Sequence, residues 1–291
     1  MAEQNTLRGI LYMVLATIVF SAQDGLSKHL AEAANPMFVI MVRYWAFMIF
    51  VTVISARSPG GLSAAVHTKQ PLLQAARGVL LVLEILVTVW AFTLLGLAAT
   101  HAIFACYPLL VVAFSGPVLG EKVGWRRWSA VGVGFLGILV ILRPGLSVID
   151  PNALVALVAA GMFAAYGLMT RLASRKDPAT TSFFWTGIAG GVTACAIGPF
   201  YWTGFSASDW GLMGILCITG AGGHYLLIKA LETAEAATVQ PFAYLQLVFA
   251  SSIGIFFFGE HVDAWTVTGA AVIVGAGLYT FWRESVRKRR A

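Results

Sequence analysis

Glu84 stands near the centre of the apolar stretch 72–95 and is the deepest carboxylate that the sequence offers. A charged or strongly polar side chain inside a bilayer costs about 2.5–3.5 kcal/mol on insertion scales, so as a rule it faces a cavity or a partner. Glu84 is therefore the foremost candidate for a proton-coupled or cation-binding group. A structural hydrogen bond to a neighbouring helix is the plain alternative. Arg77 lies two turns earlier on the same helix face, and Arg43 on the stretch 37–55 is spaced to partner Glu84 or to stretch towards lipid headgroups. Asp24, between Gln23 and Gly25, is the second coupling candidate. Lys28, four residues on, is placed to pair with it along one helix.

Neutral side chains with hydrogen-bonding ends supply a further set. His101 and Tyr107 open the stretch 101–119, and Gln240, Tyr244 and Gln246 open the stretch 237–258. Pro108 and Pro241 free nearby carbonyls that a substrate or water can use. His224 and Tyr225 follow Gly220-Ala221-Gly222-Gly223, a run that allows close helix contact or a local break. The expected substrate-binding residues are Gln23, Glu84, His101, Tyr107, Tyr166, His224, Gln240, Tyr244 and Gln246. Each has a blander reading. A lone membrane histidine is often a satisfied interfacial residue, and Tyr107, Trp90, Tyr166 and Trp185 are more often packing than stacking surfaces for an aromatic or cationic substrate.

The elements that must position these residues follow from composition. Apolar residues make up 59% of the 291-residue chain and charged ones only 11%. A soluble domain carries about 25% charge, so lipid must cover the surplus apolar surface. Apolar runs reach helix length and strand-like alternation is absent, which leaves helices that close their backbone bonds internally. The stretches fall near 8–28, 37–55, 72–95, 101–119, 127–143, 152–171, 180–202, 209–230, 237–258 and 264–282. Phe20 suits a signal cleavage site poorly, so the first stretch is expected to remain as a span. With ten spans and a cytoplasmic N-terminus, all of the 19 basic residues except Lys28, Arg43 and Arg143 fall on the cytoplasmic side. The net charge of +6 thus reports topology and does not call for nucleic acid. Trp125, Trp128, Trp202, Trp210, Trp265 and Trp282 sit near span ends, as an interfacial belt requires. Cys106, Cys195 and Cys217 each lie within an apolar run, and no Cys/His spacing suits a metal.

The chain also resembles itself. Ala-Thr-His101 through Leu-Gly-Glu121 has a counterpart in Ala-Thr-Val239 through Phe-Gly-Glu260. Trp128-Ser129-Ala130-Val131-Gly132 matches Trp265-Thr266-Val267-Thr268-Gly269, and Asn35-Pro36 matches Asp177-Pro178. Phe20-Ser21-Ala22 and Ser27-Lys28 align with Phe163-Ala164-Ala165 and Thr170-Arg171, which sets Tyr166 opposite Gln23 and Trp185 opposite Arg43. Five spans per half, an odd number, force the second half to enter from the other side. The expected fold is therefore an all-α membrane protein whose ten transmembrane helices form two inverted five-helix repeats around a central cavity. The units are 1–146 and 147–283, with a basic tail at 284–291. Gly116-xxx-Gly120 and Ala271-xxx-Gly275 are expected to be close helix contacts, and Glu121 and Glu260 to be no more than helix-starting residues.

The segments Ala91–Gly145 and Ala230–Leu278 resemble the two repeats of EamA-type members of the drug/metabolite transporter superfamily, and the likeness extends over essentially the whole chain. The resemblance implies ten helices in a bacterial inner membrane, both termini cytoplasmic, and export of small metabolites from a central cavity. Within that superfamily the sequence is compatible with YddG-like amino-acid exporters. The expectation is a secondary transporter, not an enzyme, that exports amino acids (aromatic or other neutral ones). Its partners are a small-molecule substrate and the lipid bilayer, with proton coupling through Asp24 or Glu84, no cofactor, and a monomer sufficing. Exporters of drugs or other metabolites, a membrane-embedded lipid-modifying enzyme and a purely structural membrane protein are the alternatives. The chain has no P-loop for direct ATP coupling, and no acidic or histidine cluster at a membrane face that lipid chemistry would need.

Overall fold

The computed structural model describes residues 6–120, 124–142 and 151–290. Its helices are α1 (Thr6–Ala33), α2 (Pro36–Arg57), α3 (Gly61–Val66), α4 (Pro71–Leu95), α5 (Leu97–Phe104), α6 (Tyr107–Leu119), α7 (Trp125–Leu142), α8 (Pro151–Ala173), α9 (Ala179–Ile197), α10 (Ala207–Thr233), α11 (Ala236–Val239), α12 (Leu245–Phe258) and α13 (Ala264–Arg290). Short 3-10 turns at Gly198–Tyr201 and Gln240–Tyr244 extend α9 and join α11 to α12. Eight stretches are long and apolar enough to cross a membrane, Leu97–Leu119 (α5 with α6) and Gln240–Phe258 among them. The apolar parts of α7 and α13, Trp128–Leu142 and Ala264–Tyr279, are shorter and complete the ten. Helix α7 begins Trp125-Arg126-Arg127, and α13 continues through the basic C-terminal sequence to Arg290.

Local chemistry starts and stops these helices. Pro36 and Pro71 sit in first turns, where the missing N–H is no loss. The Asn35 side chain accepts from the Met37 amide at 2.9 Å, and Asp263 accepts from the amides of Trp265 and Thr266 at 2.8 and 3.1 Å. The glycines of the repeated Gly-Glu motif end α6 and α12 in the left-handed region, Gly120 at φ 69° and Gly259 at φ 64°. That corrects the expected role of Gly120, because a Cβ there would meet nothing. Ala271 and Gly275 are exposed, and a Cβ on Gly275 would likewise meet nothing. A small-residue crossing lies where α7 meets α13. A Cβ on Gly137 would stand 2.8 Å from the Gly269 carbonyl, and one on Gly269 2.5 Å from the Gly137 carbonyl.

Contacts between the halves come in equivalent pairs. α1 packs on α10 as α8 packs on α4, α2 on α10 as α9 on α4, and α1 on α12 as α8 on α6. The pairs α2–α9 and α7–α13 are their own equivalents. This is the pattern of a two-fold relation between five-helix units, and with five spans each the units are inverted. Many large apolar side chains face outward, among them Ile18, Phe50, Phe114, Val192, Phe256 and Phe257, as lipid contact requires. Trp125, Trp128, Trp202, Trp210 and Trp265 are exposed at or within a turn of helix ends, and Trp282 is exposed within α13.

Polar ties join the halves at both ends. At one end the Glu260 carboxylate, at the end of α12, pairs with Lys28 of α1 at 2.5 Å and accepts from the amides of Leu97 and Ala98 at 2.7 and 2.8 Å. It thereby caps the first turn of α5. Gly96 and Gly254 leave the space: a Cβ on either would press within 2.8 Å of its oxygens. Lys28 does not pair with Asp24, as the helical spacing had suggested, and Glu260 is more than a helix start. At the other end Arg77 is fully buried and donates to Tyr166, Thr170, Gln74 and the Ser182 carbonyl. Gln74 donates onward to Asp177, which also accepts from Thr68 and the Lys69 amide. Burial alone would raise the Asp177 carboxyl, but these hydrogen bonds outweigh it and hold the group below its ordinary range.

Candidate functional site

A cavity opens between α1, α2, α4, α5, α8, α10 and α12, where the two halves meet. Six of the sequence-predicted residues line it: Gln23, Asp24, Glu84, His101, His224 and Gln246. Arg43, Ser27 and Thr88 add polar groups, and Phe20, Phe92, Phe104 and Phe163 form aromatic walls. The free space is about 40 Å³. That holds a few waters and is too small for a metabolite, which needs hundreds of Å³. With ties at both ends, the described conformation is closed around its site.

Two poles differ in charge. At the acidic pole Asp24 accepts from the Gln246 amide at 3.0 Å, and His101 Nε2 lies 3.1 Å from the same Asp24 oxygen. The second contact is at ion-pairing distance but outside hydrogen-bond geometry. Glu84 accepts from Thr88 one turn along α4 at 2.6 Å, and no described Lys or Arg comes within ion-pairing distance of it. At the basic pole Arg43 Nη2 donates to Gln23 at 3.1 Å and lies 3.3 Å from His224 Nε2. Arg43 thus neither pairs with Glu84 nor reaches for headgroups, and it is 2% exposed.

Buried polar atoms without partners gather on this cavity: Arg43 Nε, His224 Nδ1 and Gln246 Oε1. Each such atom costs about 1–3 kcal/mol while it stays unsatisfied, so a cluster of them marks a place where water or a ligand completes the bonds. The sequence had set His224 beside a possible helix break, but α10 runs unbroken from Ala207 to Thr233. The glycines serve close approach instead, Gly220 to the Arg43 guanidinium and Gly223 to the Phe20 ring.

The remaining candidates lie outside the cavity. Tyr107 and Tyr244 line a smaller neighbouring space together with His101 and Gln246. Tyr166 is spent on Arg77, so it does not face Gln23, and Gln240 is buried in the 3-10 turn away from both spaces. Trp90 is 56% exposed on the outer surface, and Trp185 donates to the Val66 carbonyl. Arg77 is held two turns from Glu84 by its own partners and does not reach the cavity. Glu121, Lys122 and Arg143 lie outside the described residues. The main residue that sequence reasoning undervalued is Arg43. Its available signal was a charge in mid-span where the other repeat has Trp185.

Comparison with known proteins gives a consistent picture. The pattern of the EamA-like transporter family matches twice, at residues 7–143 and 151–282. The S-adenosylmethionine uptake transporter of Rickettsia prowazekii is 26% identical over 97% of this chain and 95% of its own. A riboflavin transporter of Rhizobium johnstonii is 30% identical over 97% and 93%. The pseudopaline exporter of Pseudomonas aeruginosa is 26% identical over 92% and 94%. A protein crystal structure superposes with a TM-score of 0.71 over 94% of this chain and 96% of that one, at 17% identity, a likeness of fold.

Proposed function

The chain belongs to the EamA-like transporter family, and on that premise we propose that it is a secondary transporter exporting small amphipathic metabolites, neutral amino acids first among them. The observation that carries this reading is the cluster of unpartnered buried polar atoms on one cavity at the junction of two inverted halves. Structural packing has no use for such a cluster, whereas a substrate that comes and goes does. Gln23, Glu84, His101, His224 and Gln246 are the contacts proposed for it. Tyr107 and Tyr244 are proposed to join once the halves part and the neighbouring space merges with the cavity.

The proposed moving bodies are residues 1–146 and 147–283, each opening the site to one face of a bacterial inner membrane in turn. Both termini are assigned to the cytoplasm from the charge asymmetry, with the tail 284–291 among the headgroups. Asp24 and Glu84 are the proposed proton-coupling groups, and a monomer suffices. Relatives named for uptake and for export occur side by side. An importer is therefore the second reading, since inverted halves work in both directions and the gradients decide. Counterflow in proteoliposomes tests the function. Vesicles preloaded with an unlabelled neutral amino acid should accumulate the labelled one transiently; a broad amino-acid and metabolite panel with no counterflow would refute it.

A further inference from the structure

Arg43 is a buried cation that the protein leaves half used. Among the described residues its hydrogen bonds run from Nη2 alone, to Gln23 and His224. Nε has no partner. Neither Asp24 nor Glu84 lies within ion-pairing distance, since the described ion pairs give Asp24 to His101 and none to Glu84. Both carboxylates nonetheless line the same cavity as the guanidinium. A buried charge without its counterion is among the costlier arrangements in a protein, and in a membrane water relieves it less. Gly220 keeps the position open, because a Cβ there would stand 2.6 Å from Arg43 Nε. The repeat does not require the charge, as its counterpart is Trp185.

From this we infer that Arg43 anchors an anionic group of the substrate, a carboxylate, so that the transported class is zwitterionic. Gln23 and His224 hold the guanidinium through Nη2, which leaves the Nε–H as a charge-assisted donor for one oxygen of a carboxylate. A substrate ammonium then belongs at the acidic pole, towards Glu84 and Asp24, with its side chain among Phe20, Phe92, Phe104 and Phe163. The inference rests on the transport reading above and narrows it: amines lacking the carboxylate, and amides of the same acids, are poor substrates.

The test has two arms, so that each claim can fail alone. In proteoliposomes, labelled L-phenylalanine counterflow is competed with L-phenylalanine, L-phenylalaninamide and phenethylamine. The acid should compete about tenfold to a hundredfold better than the amide, as a charge-assisted pair in place of a neutral contact implies. Arg43→Gln should abolish that preference, and Gly220→Ala, which displaces the guanidinium without removing a charge, should weaken it. Equal competition by acid and amide in the wild type would overturn the anchor. So would a preference that survives Arg43→Gln. The second arm needs no substrate: the melting temperature of purified Arg43→Met is measured in detergent. Because Arg43→Met also frees buried Gln23, the reference for this arm is Gln23→Ala, which loses the same hydrogen bond and keeps the charge. An uncompensated charge held for a ligand predicts that Arg43→Met melts no lower than Gln23→Ala, and a value several degrees lower would overturn the anchor in favour of a structural role. Absence of counterflow for every amino acid counts against the amino-acid reading, and the melting arm still decides Arg43.

Discussion

Asp24 and Glu84 reach the cavity with different neighbours, and that difference separates their expected roles. Asp24 is engaged by Gln246 and faces His101, while Glu84 has only Thr88. The group with fewer partners changes protonation at less structural cost, so of the two proposed coupling groups Glu84 is the better candidate. Glu84→Gln should leave downhill amino-acid flux in place and remove accumulation driven by an imposed pH gradient; retained accumulation would exclude the coupling role. His101→Ala should lower flux with a smaller effect on the gradient dependence. Glu84, Asp24, His101, His224 and Gln246 were legible in the sequence because polar groups in apolar runs stand out by their insertion cost. Tyr166 and Gln240 stood out equally, yet the same cost can be met by packing against other helices. Arg43 and Glu260 were misread because their partners lie elsewhere in the chain: His224 for one, Lys28 and the α5 amides for the other.

Among the elements, the start of α5 carries the clearest energetic statement. Burial alone would raise the Glu260 carboxyl, but the Ala98 and Leu97 amides and Lys28 outweigh it and hold the group below its ordinary range. A carboxylate lowered in the folded state contributes stability above its unfolded pKa and loses it as pH falls through the folded one. Glu260→Gln should therefore destabilise the protein by about 2–3 kcal/mol at neutral pH, leaving Lys28 nearly buried and unpaired. The deficit against wild type should shrink as pH falls below about 4. Thermal melts across that range check the sign; a deficit independent of pH would assign the effect to packing. At the α7–α13 crossing, Gly137→Ala should cost about 1–3 kcal/mol, since its Cβ meets the Gly269 carbonyl and Ile273. The helices and the Gly-Glu repeat were readable from periodicity and turn chemistry. The crossing was not, because a small-xxx-small pattern does not say which face meets another helix.

For the whole molecule, the proposed transport requires motion, because the cavity is closed and tied at its two ends. The Lys28–Glu260 and α5 contacts close one end and the Arg77 cluster the other, so a metabolite enters only when one set releases. Repeat matching made the inverted architecture legible before any coordinates, since the Gly-Glu and Trp-Gly segments recur in both halves. The closed state was not legible, because the volume between halves depends on side-chain packing across the interface. The most direct measurement is cysteine accessibility at Thr88, a neutral cavity-lining residue. In a variant with Cys106, Cys195 and Cys217 replaced, Thr88→Cys in sealed vesicles is challenged with a membrane-impermeant thiol reagent from each face in turn. Alternating access predicts labelling from both faces, slowed from either by a transported substrate. Labelling confined to one face, or indifferent to substrate, would contradict it.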